Sequence, residues 1–259
     1  MNYFYHELKR AIFSTNFLLG NLLLLGSYIV GMTSSWSSIT TFKGISFFLY
    51  SFSLGSGAIL PVVTPLIISL PFSHSYLQDR DNNMIYGILT RTSLRRYFII
   101  KILVTGLTAS LTILLPLLLF LVINCIFFPL GQGISFGHIG GAWSSIFLNN
   151  QFLYIIILII HASIFSFIYA NVGLITSFFI HNKLVPILAP FSFYILPSFV
   201  FHFFNLDRFE PVTTFDLTAN TASNAATVYG QLIIILCTLL IVGSIQLKKE
   251  LILYDSNDN

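Results

Sequence analysis

Long apolar blocks dominate the hydrophobic pattern of this chain, and polar residues are gathered in short segments between them. An α-helix needs roughly 20 apolar residues to cross about 30 Å of hydrocarbon. Six blocks have approximately that length: Phe17–Thr33, Phe47–Leu70, Ile99–Phe128, Phe152–Ile180, Leu184–Phe204 and Tyr229–Leu247. Because lipid offers no hydrogen-bond partner for an open backbone group, the blocks predict helices. We therefore expect an all-α integral membrane protein with six transmembrane helices in one domain, residues 1–259.

Prolines interrupt two of these blocks. Pro61, Pro65 and Pro71 in the second block predict a kink or a break, because proline donates no backbone hydrogen bond. The fifth block contains three more prolines, and we expect that span to be broken or re-entrant.

Residues 2–14 precede the first block and mix aromatic and aliphatic side chains with basic ones, including Lys9 and Arg10. Such a segment is typical of a helix that lies flat at the membrane interface, with its basic side at the headgroups. A simple extension of the first span is the alternative.

Basic residues are distributed unevenly over the segments between the blocks. If the N-terminus is cytoplasmic, the inner segments hold ten of them: Lys9, Arg10, Arg80, Arg91, Arg95, Arg96, Lys101, Lys183, Lys248 and Lys249. The outer segments hold only Lys43 and Arg208. The positive-inside rule then predicts a multi-pass protein of the cell (inner) membrane with both termini in the cytoplasm.

The composition agrees with this prediction. Charged residues make up 8% of the chain, against roughly a quarter in a soluble domain, and hydrophobic residues make up 56%. The net charge of +3 follows from the basic inner segments, so we expect no nucleic-acid partner. Cys125 and Cys237 both lie in apolar blocks, a pattern that predicts neither a disulfide framework nor a zinc site.

The longest inner segment, Phe72–Arg96, has a helical pattern of its own. Asp79 and Asp81 can cap a short helix, where side-chain acceptors and the positive helix end favour acids. An apolar stripe at helical spacing follows: Met84, Ile85, Ile88 and Leu89. The segment therefore predicts an amphipathic helix parallel to the membrane.

Few residues inside the blocks can carry chemistry. All twenty-one Asp, Glu, Lys and Arg residues fall at or beyond the predicted span ends, so we expect an energy source outside the spans. Asn124, His161 and Asn171 are polar residues within spans, and each either bonds a neighbouring helix or lines a transport pathway. The chain has no G-x-x-x-x-G-K-[ST] or H-E-x-x-H motif, and Gly55-Ser56-Gly57 is only faintly similar to a serine-protease loop. We predict no catalytic, cofactor-binding or metal-binding residues.

Three stretches resemble the type-2 ABC exporter permeases. Ile88-Leu89-Thr90-Arg91 is similar to the end of their cytoplasmic helix, and Arg96-Tyr97-Phe98-Ile99-Ile100-Lys101 to the start of their third span. Phe4-Tyr5-His6-Glu7-Leu8-Lys9-Arg10 resembles their interfacial helix. The family's usual glutamate near position 75 and its proline after Arg91 are absent here.

The resemblance implies the permease subunit of an ATP-driven exporter, without an ATPase of its own. Two permease chains, identical or different, would pair on separate ABC ATPase subunits, which bind ATP and Mg. A cytoplasmic coupling helix between spans two and three would seat in the ATPase, through these residues: Asp79, Asp81, Met84, Ile85, Ile88, Leu89 and Arg91. The basic cluster of Arg95, Arg96 and Lys101 would pair with ATPase acids or with membrane lipids.

The aromatic composition, with 27 Phe and 12 Tyr, favours an amphipathic or hydrophobic substrate such as a peptide, drug or lipid. Two alternatives stay open: an ATP-independent carrier or channel, and a membrane-embedded enzyme or assembly factor.

Overall fold

Helices account for all the regular secondary structure in the described part of this computed structural model, which comprises residues 3–38, 45–55, 57–127, 140–219 and 222–257. The α-helices are α1 (Tyr3–Ile12), α2 (Thr15–Ser34), α3 (Ile45–Leu49), α4 (Leu60–Ile67), α5 (Ser75–Asp81), α6 (Met84–Leu89), α7 (Leu94–Phe127), α8 (Ser144–Asn149), α9 (Gln151–Thr176), α10 (Val185–Phe203) and α11 (Ala225–Asn257). One π-helical turn, Tyr50–Leu54, follows α3, and 3₁₀ turns occur at Trp36–Ser38, Asp207–Phe209 and Pro211–Thr214.

Five of these helices are long and apolar enough to cross a membrane: α2, α7, α9, α10 and α11. The chain is therefore an all-helical, multi-pass membrane protein. Helix α10 runs unbroken although Pro190 and Pro197 lie inside it, so the expectation of a broken or re-entrant fifth span was wrong. Neighbouring helices and side chains re-satisfy the backbone groups that a proline frees, which is why membrane helices tolerate it.

The predicted second span, Phe47–Leu70, is not one helix. It consists of α3, the π-helical turn and α4, and the backbone is extended at Gly55 between the last two. At this break the chain passes close to the end of α2, where a Cβ on Gly57 would overlap the side chain of Ser34. The segment nevertheless runs back along α2, since Pro71 packs beside Gly20 in the first turns of that helix.

Helix α1 is separate from α2, as expected of an interfacial helix and not of an extended first span. Ser14 is the last residue between the two helices. Its side-chain hydroxyl accepts a 3.1 Å hydrogen bond from the backbone N–H of Phe17. This serine is a helix N-cap and fixes the start of α2.

Both ends of the described chain lie at the same end of the helix bundle. The ring of Tyr3 stacks on Tyr97 in the first turn of α7, with 6.3 Å between the ring centroids. Near the other terminus, Leu247 of α11 packs in the same buried apolar cluster as Tyr97. We call this end the basic end, because α1, α6 and the start of α7 bring these residues to it: Lys9, Arg10, Arg91, Arg95, Arg96 and Lys101.

Helices α7 and α9 form the centre of the bundle. The hydroxyl of Ser110 donates a 2.7 Å hydrogen bond to the carbonyl of Ser163, and a Cβ on Gly106 would overlap the ring of Phe167. Small residues at these contacts let the two helix backbones approach closely, which is a common way for helices to associate in lipid.

Candidate functional site

Four charged side chains form a buried network at the basic end: Glu7, Arg10, Asp79 and Lys101. The ammonium of Lys101 lies 2.6 Å from Glu7 Oε2 and 2.7 Å from Asp79 Oδ2. The guanidinium of Arg10 lies 2.8 Å from Asp79 Oδ1 and 3.1 Å from Glu7 Oε1. Each acid thus contacts both bases, and the four formal charges cancel.

Three separate elements supply these charges. Glu7 and Arg10 are one turn apart on α1, so they point to the same side of that helix. Asp79 comes from α5, and Lys101 from the second turn of α7, 94 positions after Glu7. The network therefore joins the first helix and a short helix between α4 and α7 to the base of a membrane-spanning helix.

The network is closed to solvent except at Arg10, whose side chain is 34% exposed. The side chains of Asp79 and Lys101 are 0% exposed, and that of Glu7 is 6% exposed. The phenol of Tyr97 donates a 3.0 Å hydrogen bond to Asp79, and the Lys101 ammonium lies 5.1 Å from the centre of the Phe72 ring. Buried charges are stable only when paired and hydrogen-bonded, so removing one partner leaves an uncompensated charge and is strongly destabilising.

Neutral polar groups extend the network to α2. Arg10 also donates to Oε1 of Gln78, at 3.0 Å, and the amide of Gln78 lies 2.8 Å from Nε2 of His74. The amide of Asn16, on α2, lies 3.3 Å from the same nitrogen. The pKa of His74 is lowered, first by burial and then by the positive charges nearby, foremost Arg10. Both amides thus lie within hydrogen-bond distance of one ring nitrogen of His74.

The residues predicted to contact an ATPase do not share one surface. Asp79 is inside the network, and Asp81 is exposed, where it pairs with Lys183 at 3.0 Å. Their predicted capping role was wrong, because α6 begins after Asn83, in a left-handed conformation with φ 52°, and Asp79 is held by Arg10 and Lys101 instead.

The predicted apolar stripe is divided in the same way. Ile85 is buried in the apolar cluster around Tyr97, and Ile88 and Leu89 pack partly against it. Met84 is 49% exposed and points outward. Most of the stripe is therefore used inside the chain, and Met84 is the member free for an external contact.

The predicted basic cluster is also divided. Arg95 and Arg96 are exposed, as is Arg91, whereas Lys101 is fully buried. These residues are close together in the sequence. In the structure, however, Lys101 faces α1 and α5, whereas the arginines lie at the surface.

The three polar residues within spans are all buried. Asn171 links two helices, donating to the carbonyl of Ile102 on α7 at 3.3 Å and to its own helix at 2.7 Å. Asn124 donates to the carbonyl of Phe120 in its own helix. His161 packs edge-on against Tyr229 of α11, with 5.5 Å between ring centroids. They are not brought together into one site.

At the opposite end of the bundle lies a buried acid, Asp216, which was not predicted as a site residue. Asp216 accepts hydrogen bonds from the backbone N–H and the hydroxyl of Thr218, at 2.9 and 2.7 Å. Burial raises the pKa of Asp216 above its usual range. His202, Asp207 and Glu210 also gather there, with possible ligand atoms within 4.8 Å of one another. His202 is exposed, and surface groups of this kind are common without a metal ion.

Some sequence expectations fall on positions outside the described residues. They concern Lys43, Ser56 of the Gly55-Ser56-Gly57 stretch, and residues 128–139. Cys125 and Cys237 are both free thiols.

Glu7, Arg10, Tyr97, His74 and Gln78 were not predicted as site residues. Glu7 and Lys101 lie within two of the three stretches that resemble the exporter family. The available signal was an acid and a base that flank separate apolar blocks. Their pairing across 94 positions is a tertiary contact that spacing does not reveal.

No protein-family model matches the chain, and no curated protein or solved structure matches it significantly. What the site does must therefore be argued from its geometry.

Proposed function

We propose that this chain is the permease subunit of an ATP-driven ABC exporter of the type-2 class. In this proposal it crosses the membrane six times, with the segment from α3 to α4 as a broken second span and with both termini in the cytoplasm. Helices α5 and α6 then form the coupling helix, and the basic end faces the ATPase.

The buried charge network is the observation that carries the proposal. A coupling element must transmit movement, and a loose loop would absorb it. Asp79 fixes α5 to Arg10 of α1 and to Lys101 of α7 through ion pairs of 2.8 and 2.7 Å. Only Asn82 and Asn83 separate α5 from α6. A displacement of α6 by a partner is thus passed to an interfacial helix and a spanning helix together, as in shear movements of packed helices.

An outward face of α6 is available for the ATPase. Met84 is 49% exposed and Tyr86 is 38% exposed, while Ile85 anchors the helix inside. We infer that Met84 inserts into the ATPase groove, with Asp81 at the edge of the contact.

The energy source lies in the partner. No Asp, Glu, Lys or Arg occurs in the apolar middle of the five long helices, which disfavours coupling to an ion gradient. ATP and Mg bind the ATPase subunits, and a second permease chain, identical or different, completes the pathway.

Two apolar grooves support an amphipathic or hydrophobic substrate. One, of about 520 Å³, lies between α10 and α11 and includes Phe193, Phe201 and Ile234. The other, of about 430 Å³, lies between α7, α9 and α11. Apolar linings of this size suit drug-sized or lipid-like molecules.

Copurification and transport test the proposal. The tagged chain is purified from its native membrane and examined for a P-loop ATPase, and the complex is reconstituted in vesicles with a hydrophobic fluorescent dye. We expect ATP-dependent dye movement that Met84→Asp abolishes and the matched variant Met84→Leu preserves. Dye movement without ATP would favour the carrier or channel, and normal coupling in Met84→Asp would refute the α6 contact.

A further inference from the structure

A groove of about 470 Å³ opens at the basic end, between α1, α6 and the first turn of α7. Tyr3 and His6 line it from α1, Ile88 from α6, and Arg91 and Arg96 from the connection and from α7. Arg91 and Arg96, which line it, are exposed.

The groove is positively charged. No acid contributes to its lining. Among the residues that the structure describes, neither Arg91 nor Arg96 forms an ion pair, whereas Arg10 and Lys101 are neutralised by Glu7 and Asp79. Two guanidinium groups facing one cavity form a site for a phosphate or another anion, because each presents a planar set of donors.

Tyr3 lines the groove, but its hydroxyl is turned away from it, toward the acids Glu7 and Asp79 of the buried network. Its hydroxyl is buried and has no hydrogen-bond partner in the described chain. Burial raises the pKa of this phenol, so the hydroxyl stays protonated at physiological pH.

An apolar stripe continues from the groove along α7. Ile99, Leu103 and Leu107 are 54%, 39% and 38% exposed. Arg96 and these three residues are separated by three or four positions each, so all four lie on one face of the helix. A soluble anion would contact the arginines but not this stripe. A molecule with a charged headgroup and an acyl chain contacts both the arginines and the stripe.

We propose that the groove is a binding site for an anionic glycerophospholipid of the membrane leaflet at the basic end. Arg91 and Arg96 hold the headgroup phosphate, and the stripe above Arg96 packs against an acyl chain. The site is independent of the transport function, since it follows from the membrane location alone. Attraction of basic residues to anionic lipid supplies its selectivity.

Native mass spectrometry of the purified chain tests this site. The chain is mixed with equal amounts of dioleoyl phosphatidylglycerol and dioleoyl phosphatidylcholine, and the ratio of the two bound lipids is measured. Each basic residue near a membrane contributes about fivefold to anionic-lipid binding, so Arg91→Gln with Arg96→Gln should lower the ratio about 25-fold. Arg95→Gln is the matched control, because Arg95 is equally exposed but does not line the groove.

Inorganic phosphate and glycerophosphoglycerol, added in millimolar amounts, distinguish a lipid from a free anion. We expect neither to displace phosphatidylglycerol. Displacement by either would identify a soluble-anion site and overturn the proposal. An equal loss in Arg95→Gln, or no preference for phosphatidylglycerol in the unmodified chain, would overturn it too. Equal thermal unfolding midpoints in phosphatidylcholine alone verify that the variants are folded.

Discussion

The ammonium of Lys101 lies 2.7 Å from the carboxylate of Asp79, in a place that solvent does not reach. This contact joins a membrane-spanning helix to a seven-residue helix outside the five long ones. The short helix has little stability of its own, because isolated helices of that length are marginal in water. Its position therefore depends on the ion pairs that Asp79 makes.

Replacing Lys101 tests that dependence. Lys101→Met leaves Glu7 and Asp79 to share Arg10, and we expect a loss of about 3–5 kcal/mol in the free energy of unfolding, as for other broken buried pairs. Thermal unfolding in detergent, followed by intrinsic fluorescence, measures it. Lys9→Met is the control, since Lys9 is exposed on the same helix as Glu7.

A double-mutant cycle separates the pair from its surroundings. Asp79→Asn combined with Lys101→Met should cost less than the two single losses added together, with a coupling of about 0.5–3 kcal/mol. Strict additivity would mean that the contact contributes nothing, even if each single variant is unstable.

His74 predicts a pH dependence of stability. Its pKa in the folded chain is lowered from 6.5, so the folded state binds fewer protons than the unfolded state below that value. The contribution of His74 to the free energy of unfolding is therefore fully present above about pH 6.5 and decreases as the pH drops below that value. The positive charges facing His74 are Arg10, Lys101 and Lys183.

Unfolding midpoints at pH 7.5 and pH 5.5 measure this effect. We expect a smaller difference between the two pH values in His74→Gln than in the unmodified chain. His6→Gln should leave the difference unchanged, because His6 is exposed. An unchanged pH dependence in His74→Gln would show that His74 does not bind the proton.

The contact between α9 and α10 predicts a strict requirement for Gly173. A Cβ at this position would overlap the backbone carbonyl of Pro186, which cannot move as a side chain can. We expect Gly173→Ala to lower stability by about 1–3 kcal/mol. Gly230→Ala in α11 is the matched control, because nothing lies near its added methyl group, and it should gain up to about 1 kcal/mol. Equal effects of the two alanines on the thermal midpoint would contradict the packing.

Cysteine labelling tests the proposed topology. The background is a cysteine-free chain that carries Cys125→Ser and Cys237→Ser. In this background, a single cysteine introduced by Lys9→Cys or by Lys248→Cys should react with a membrane-impermeant maleimide only from the cytoplasmic side. Arg208→Cys, at the opposite end of the bundle, should react only from the other side. Labelling of Lys9→Cys and Lys248→Cys from different sides would mean an odd number of crossings.

The sequence predicts the long helices well, since an apolar block in lipid has no other way to satisfy its backbone. The blocks at Phe17–Thr33 and Tyr229–Leu247 both lie inside observed helices, α2 and α11. Proline gave a weaker signal: the fifth block stays helical through Pro190, whereas the second block is broken. The second block is interrupted at Gly55, ahead of its first proline, and Pro61 stands in the first turn of α4.

The candidate site was less accessible to sequence reasoning. The helix that carries the Met84–Leu89 stripe was predicted, but α5 was not, because the pattern treated Asp79 as a cap and Lys101 as part of a basic cluster. Burial of a charge depends on whether a counter-charge from a distant segment reaches it. Glu7 does so only because α1 folds back against α7, with Tyr3 stacked on Tyr97.

The order of the charges along the chain has a consequence for biosynthesis. A polypeptide is made from its N-terminus, so Glu7 and Asp79 leave the ribosome before Lys101 does. Both acids have thus been synthesised when the lysine emerges, so its counterions are already part of the nascent chain. A circular permutation that moved α1 behind α7 would deprive the lysine of one of them at this moment.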